Sequence, residues 1–76
     1  MNNKRRDLLK SAVVLIERAS GIISRALDEE QDCLDNMPEN LLDSDRCQKM
    51  ELAIDRLEEA VEQIDRTVEC IEEACE

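Results

Sequence analysis

Seventy-six residues allow one domain, and a chain this short is marginal as a fold on its own. It has no Phe, Tyr or Trp, which removes the side chains that bury the most surface, and no His, which excludes imidazole general bases and His-containing triads. The formal charge of −10 would suit a disordered acidic tail, but 42% hydrophobic content with one Gly and one Pro points instead to long helices.

In chain order, the first predicted element is a helix from about residue 4 to 34. Its apolar face is wide: one stripe holds Leu8, Leu15 and Ile22, another Leu9, Ile16, Ile23 and Leu27. Between them runs one small residue per heptad, Ala12, Ala19, Ala26 and Cys33. Gly21 falls mid-helix, where it costs about 1 kcal/mol relative to Ala and suggests a bend or the close approach of another helix.

A loop follows, from about residue 35 to 43. Asn36 suits a left-handed helix end. Pro38 biases Met37 away from helix and can open a short helical turn through Leu41 and Leu42. Ser44 is the expected N-cap of the second helix, with Asp45 favourable in its first turn.

The second helix, about 44 to 75, carries the most regular pattern. Cys47, Met50, Ile54, Leu57, Val61, Ile64, Val68, Ile71 and Cys75 recur at alternating spacings of three and four, the seam of a coiled coil or bundle. Ala53, Ala60, Thr67 and Ala74 form a bordering stripe of small residues. A short loop makes the two helices antiparallel neighbours.

With paired positions summing to 80, Ala12, Ala19, Ala26 and Cys33 face Val68, Val61, Ile54 and Cys47, and Ala53, Ala60 and Thr67 face Leu27, Ser20 and Val13. Small then opposes large, which predicts axes about 8 Å apart. Charge supports the same pairing. Residues 1–27 carry net +4 and residues 28–76 net −14, so Lys4, Arg5 and Arg6 come beside Glu69, Glu72, Glu73 and Glu76. Each cluster opposes its own helix dipole, and side by side they offset one another.

The segment Asp35-Asn36-Met37-Pro38-Glu39-Asn40-Leu41, then Ser44-Asp45-Arg46 and the heptads from Met50 to Ala60, resembles a family of short acidic helical-hairpin proteins. These are encoded in bacteriophages and mobile elements of Firmicutes, with a D-N-x-P-x-x-L and S-x-R loop before acidic heptads. The resemblance covers roughly residues 28 to 76. Members often carry an aromatic just before the D-N pair, where this chain has Leu34. The family brings no assigned activity, so no catalytic or binding residue carries over. It implies a bacterial or phage setting.

The chemistry expected is that of binding, not catalysis. Carboxylates are plentiful, but a working acid–base pair needs a pocket that separates two pKa values. The cysteines include no C-x-x-C pair and no bundle E-x-x-H motif is present, so neither a metal nor another cofactor is expected. The run Asp28-Glu29-Glu30-Gln31-Asp32 reads as a solvated acidic turn rather than a calcium loop. Cys33 and Cys47 flank the loop; the expectation is two reduced thiols filling its mouth, with a disulfide as the alternative. The basic start is followed only by the short apolar run Ala12 to Ile16, broken by Glu17 and Arg18. That is neither a signal peptide nor a membrane span, so the expected location is the cytoplasm; that of a bacterial host is what the resemblance implies.

The expected fold is therefore all-α, an antiparallel two-helix hairpin that dimerises into a four-helix bundle, with a tetramer as the alternative. Leu8, Leu15, Ile16, Ile22, Ile23, Leu27, Met50, Ile54, Leu57, Val61, Ile64, Val68 and Ile71 make the expected self-association core. Ala12, Ala19, Ala26, Ala53, Ala60 and Ala74 are the expected sites of close helix packing. Asn36, Pro38, Leu41 and Ser44 shape the loop and caps. The expected function is a non-enzymatic adaptor or inhibitor of a host protein. One alternative is an acidic rod, about 48 Å long at 1.5 Å per residue, that imitates nucleic acid. Another is an oligomeric sponge for a nucleotide signal, with Arg18 and Arg25 as anion contacts. Direct binding to nucleic acid or to a membrane is not expected.

Overall fold

The computed structural model describes residues 1–76 and contains two long helices and a short turn. Helix α1 spans Asn3–Asp35, a 3-10 turn spans Glu39–Leu41, and helix α2 spans Asp45–Ala74. The helices lie antiparallel as a hairpin measuring 59 × 15 × 13 Å. Its radius of gyration is 17.4 Å, against about 11 Å for a compact domain of this length. No helix is long and apolar enough to cross a membrane.

Side-chain caps define the helix starts. Asn2 Oδ1 accepts from the Arg5 backbone N–H at 2.9 Å. Ser44 Oγ accepts from the Cys47 N–H at 3.2 Å and donates to the Leu41 carbonyl at 2.6 Å, tying the turn to the start of α2. Pro38 sits just before the 3-10 turn, and its carbonyl accepts from the Leu41 N–H at 2.9 Å. Asn36 does not take the left-handed conformation expected of it; its φ is −95° and no residue has positive φ. Its side-chain amide instead donates to the Asp32 carbonyl at 2.8 Å, so the last turn of α1 is satisfied without a reversal of hand.

The interhelical seam of α2 is the run Cys47 to Cys75, with Cys47, Met50 and Ile54 buried and the rest half-buried. Opposite it, α1 presents Arg6, Leu9, Val13, Ile16, Ser20, Ile23, Leu27, Glu30 and Leu34, again at spacings of three and four and all half-buried. This corrects the expected contact. Ala19, Ala26 and Cys33 are exposed, as are Thr67 and Ala74, while Ala12, Ala53 and Ala60 are only half-buried. The small-residue stripe of α1 is therefore not what α2 packs on. The neighbouring stripes of larger side chains are, because they bury more apolar surface along a single seam.

Arg6 fixes the register at the open end. Its Nε donates to the Cys75 carbonyl at 2.9 Å, in a pairing that sums to 81. The last turn of α2 contains no basic residue of its own. Arg6 thus supplies, from the other helix, the positive charge that a helix C-terminus favours. The basic start and the acidic end form no ion pair at contact distance. The only ion pairs within 4 Å are intrahelical, Arg25–Glu29 at 3.7 Å and Arg56–Glu59 at 3.0 Å. All four groups are exposed, and such pairs contribute little.

Gly21 lies inside an unbroken helix, and a Cβ built there meets nothing within 4 Å. No helix approaches it, so only its backbone cost remains. Gly21→Ala should raise the stability of the chain by about 1 kcal/mol, read as a higher urea midpoint by circular dichroism. Arg6→Met keeps the aliphatic stem but removes the cross-helix cap. It should cost about 1–2 kcal/mol in the same measurement, and an unchanged midpoint would show that the Arg6–Cys75 bond does not hold the open end.

Candidate interaction face

The seam leaves a stripe of large apolar side chains on α1 uncovered. Successive helix residues are about 100° apart, so Leu8, Leu15 and Ile22 lie on a stripe well away from the seam. They are 64%, 64% and 70% exposed. Ala12, Ala19 and Ala26 fall between this stripe and the Leu9–Ile16–Ile23 side of the seam, making one continuous apolar arc. In an antiparallel pair, corresponding flanks of the two seams lie on the same side of the hairpin. Ala53, Ala60, Thr67 and Ala74 of α2 therefore border the same face. The opposite side of the hairpin is mainly polar, with Lys10, Glu17 and Gln31 from α1 and Glu51, Glu58, Asp65 and Glu72 from α2; Val14, 49% exposed, is the apolar exception there.

Of the residues assigned to a self-association core, Ile16, Ile23, Leu27, Leu57, Val61, Ile64, Val68 and Ile71 are half-buried in the chain's own seam, and Met50 and Ile54 are buried there. Only Leu8, Leu15 and Ile22 are left wholly outside it. The sequence gives no hint of Leu52, a further exposed apolar side chain on the outer face of α2. Arg6 was also missed as a structural residue. The signal was its place three residues before Leu9 on the seam spacing.

Two shallow hollows flank the seam. One, of about 390 Å³ at the open end, is lined by Lys10, Val13, Val14, Ile71, Glu72 and Cys75. The other, of about 430 Å³ at the hairpin mouth, brings Asp32, Cys33, Asn36, Met37, Pro38, Leu41, Arg46 and Met50 together. Neither includes Arg18 or Arg25. Both arginines are exposed, and the Arg25 guanidinium is engaged by Glu29. No group of three or more Cys, Asp or Glu side chains is placed to hold a metal ion, and no buried side-chain polar atom lacks a partner.

The cysteines are all free, and Cys33 and Cys47 do not face one another as expected. Cys47 is 0% exposed in the seam, whereas Cys33 is exposed. Burial pushes the Cys47 thiol above its ordinary range, and the nearby charge of Glu51 pushes it the same way. Its Sγ–H also donates to Glu51 Oε1 at 3.8 Å, and the charge of Asp43 adds to the effect. A raised pKa means less thiolate at pH 8, and a sealed sulfur means less access. In native buffer, Cys33 and Cys70 should react quickly with a thiol reagent and Cys47 at least tenfold more slowly. All four should react alike in denaturant. Equal native rates would show that the seam at Cys47 is open.

Comparison with known proteins adds no relative: no family model, no curated protein and no solved structure matches this chain.

Proposed function

We propose that this chain is a non-enzymatic protein-interaction module, and that the face bearing Leu8, Leu15 and Ile22 takes a second copy to give a four-helix bundle. The exposure of those three side chains carries the reading. Surface area supports it. The hairpin exposes 6001 Å², whereas a compact monomer of this mass exposes about 4,700 Å². The excess, about 1,300 Å² per chain, exceeds the roughly 800 Å² per partner of an ordinary stable interface.

With the apolar face occupied by self-assembly, the acidic exterior and the Asn36–Ser44 loop remain for another protein. The loop's resemblance to phage and mobile-element hairpins suggests an accessory protein in the bacterial cytoplasm that acts as adaptor or inhibitor of a host protein. One observation favours a second reading. Along the exposed side of α2, Asp55, Glu58, Glu62, Asp65 and Glu69 all point to solvent without an ion-pair partner. A rigid row of this kind can imitate a phosphate ridge and occupy a basic nuclease groove. Binding that collapses between low and moderate salt would mark the mimic; salt-insensitive binding would mark the adaptor.

Sedimentation equilibrium in reducing buffer tests the self-association directly, read by interference optics because the chain has no aromatic absorbance. The expected mass is twice the 8.7 kDa chain. Leu15→Glu, which places a charge on the exposed stripe and leaves the seam intact, should reduce it to the single-chain mass while the helix signal survives. A folded wild-type monomer would overturn the bundle and leave the stripe as a groove for a partner's helix.

A further inference from the structure

Resting on that self-association, we infer that the second copy docks with its two-fold axis along the rod, so that α1 of each copy lies beside α2 of the other and both loops emerge at one end. The apolar face alone permits several bundles. Charge separates them.

Residues 4–25 of α1 carry Lys4, Arg5, Arg6, Lys10, Arg18 and Arg25 against only Asp7 and Glu17, net +4. The remainder of that helix, residues 28–35, is net −5. In α2 the polarity is reversed. Residues 45–54 are neutral overall, and residues 55–76 are net −7. Neighbouring helices in a bundle lie about 8–10 Å apart, roughly one Debye length at physiological salt, so facing charge blocks are weakened by screening but still felt.

If α1 packed on its own copy, a +4 block would lie on a +4 block and the acidic blocks of α2 would be forced together. If α1 lay beside the other copy's α2 but with the loops at opposite ends, the −5 block of α1 would meet the acidic end of that helix. With both loops at one end, the +4 block has a −7 block on each side. Complementarity of this kind selects the arrangement more than it adds affinity.

Side-chain size agrees. In this arrangement the two chains pair antiparallel near the register that the Arg6–Cys75 bond sets within each hairpin. Leu8, Leu15 and Ile22 then step past Ala74, Thr67 and Ala60 of the second copy, each large side chain against a small one. The consequence is a two-headed tip, with the mouth hollows and the exposed Leu41 and Leu42 of both copies presented at one end of the rod.

The distance between the two loops tests this. Asn40→Cys is introduced into the full chain with Cys33→Ala, Cys70→Ser and Cys75→Ala, leaving the sealed Cys47 in place, and a nitroxide is attached at position 40. Electron-electron double resonance should give a separation of about 15–30 Å, a few interaxial spacings plus the label arms. A separation near the 59 Å rod length would overturn the shared-end arrangement and leave self-association standing. A folded, monomeric labelled chain with no dipolar coupling would overturn the self-association itself. If that variant fails to fold, isotope-filtered NOEs on a mixed dimer of the wild-type chain decide the matter. Contacts from Leu8 to Ala74 of the second copy are expected, and contacts from Leu8 to Ile22 of the second copy would overturn the inference.

Discussion

Two helices share only one seam, and nearly every feature of this molecule follows from that limit. A helix in a larger domain can spread its apolar arc over two or three neighbours. Here α1 has an arc wide enough for two neighbours and the chain supplies one. The seam closes fully only near the loop, at Cys47, Met50 and Ile54, and Met37, Pro38 and Leu41 share the mouth hollow with Met50. Beyond Ile54 every seam residue stays half-buried, because no third layer lies over either flank. Without an aromatic side chain, the chain has no means of widening the seam's reach.

Electrostatics are arranged around the same limit. The basic start of α1 is unfavourable for its own dipole, and the acidic end of α2 is unfavourable for its own. A parallel pair would compound both defects. In the antiparallel hairpin a single contact, Arg6 to the Cys75 carbonyl, brings a guanidinium to the end of α2. The other charges at that end form no contact pair within 4 Å, so they act as a diffuse field rather than as bonds. A diffuse field contributes little to stability, but it can still decide which way round two rods lie together.

The second helix was readable in the sequence because its apolar arc is narrow: the stripe through Leu57 and Ile64 can face only one way. The hairpin itself followed from Pro38, Ser44 and the single short break between two helical periods. The first helix was harder. Its arc covers four adjacent stripes, and the sequence does not say which of them meets α2. Reading the Ala12–Ala19–Ala26–Cys33 stripe as a contact, with Val13, Ser20 and Leu27 beside it, passed over Leu9, Ile16 and Ile23, which lie between those two stripes and share the seam with Val13, Ser20 and Leu27. Polar residues on the true seam, Arg6, Ser20 and Glu30, concealed its period. Asn36 misled for a different reason. Its side chain could satisfy the Asp32 carbonyl directly, so the left-handed conformation it tolerates was not needed.

That misplacement bears on the proposed function. A stripe of small residues between two stripes of large ones is what a helix needs when it packs on two neighbours about 90° apart, since the alanines let both approach. Within one chain the Ala19–Ala26 stripe has no neighbour and its exposure is unexplained. In a bundle it becomes the floor between α1 and the second copy, and the exposed Leu8, Leu15 and Ile22 become its wall. The polar flank through Glu17, Glu58 and Asp65 has no such complement, and it remains in water in either state. The hairpin is thus two-sided: one flank has the composition of an interior and the other, Val14 apart, that of a surface. The proposed second copy would cover the first flank and leave the other in water, whereas a solitary rod exposes both to the same solvent.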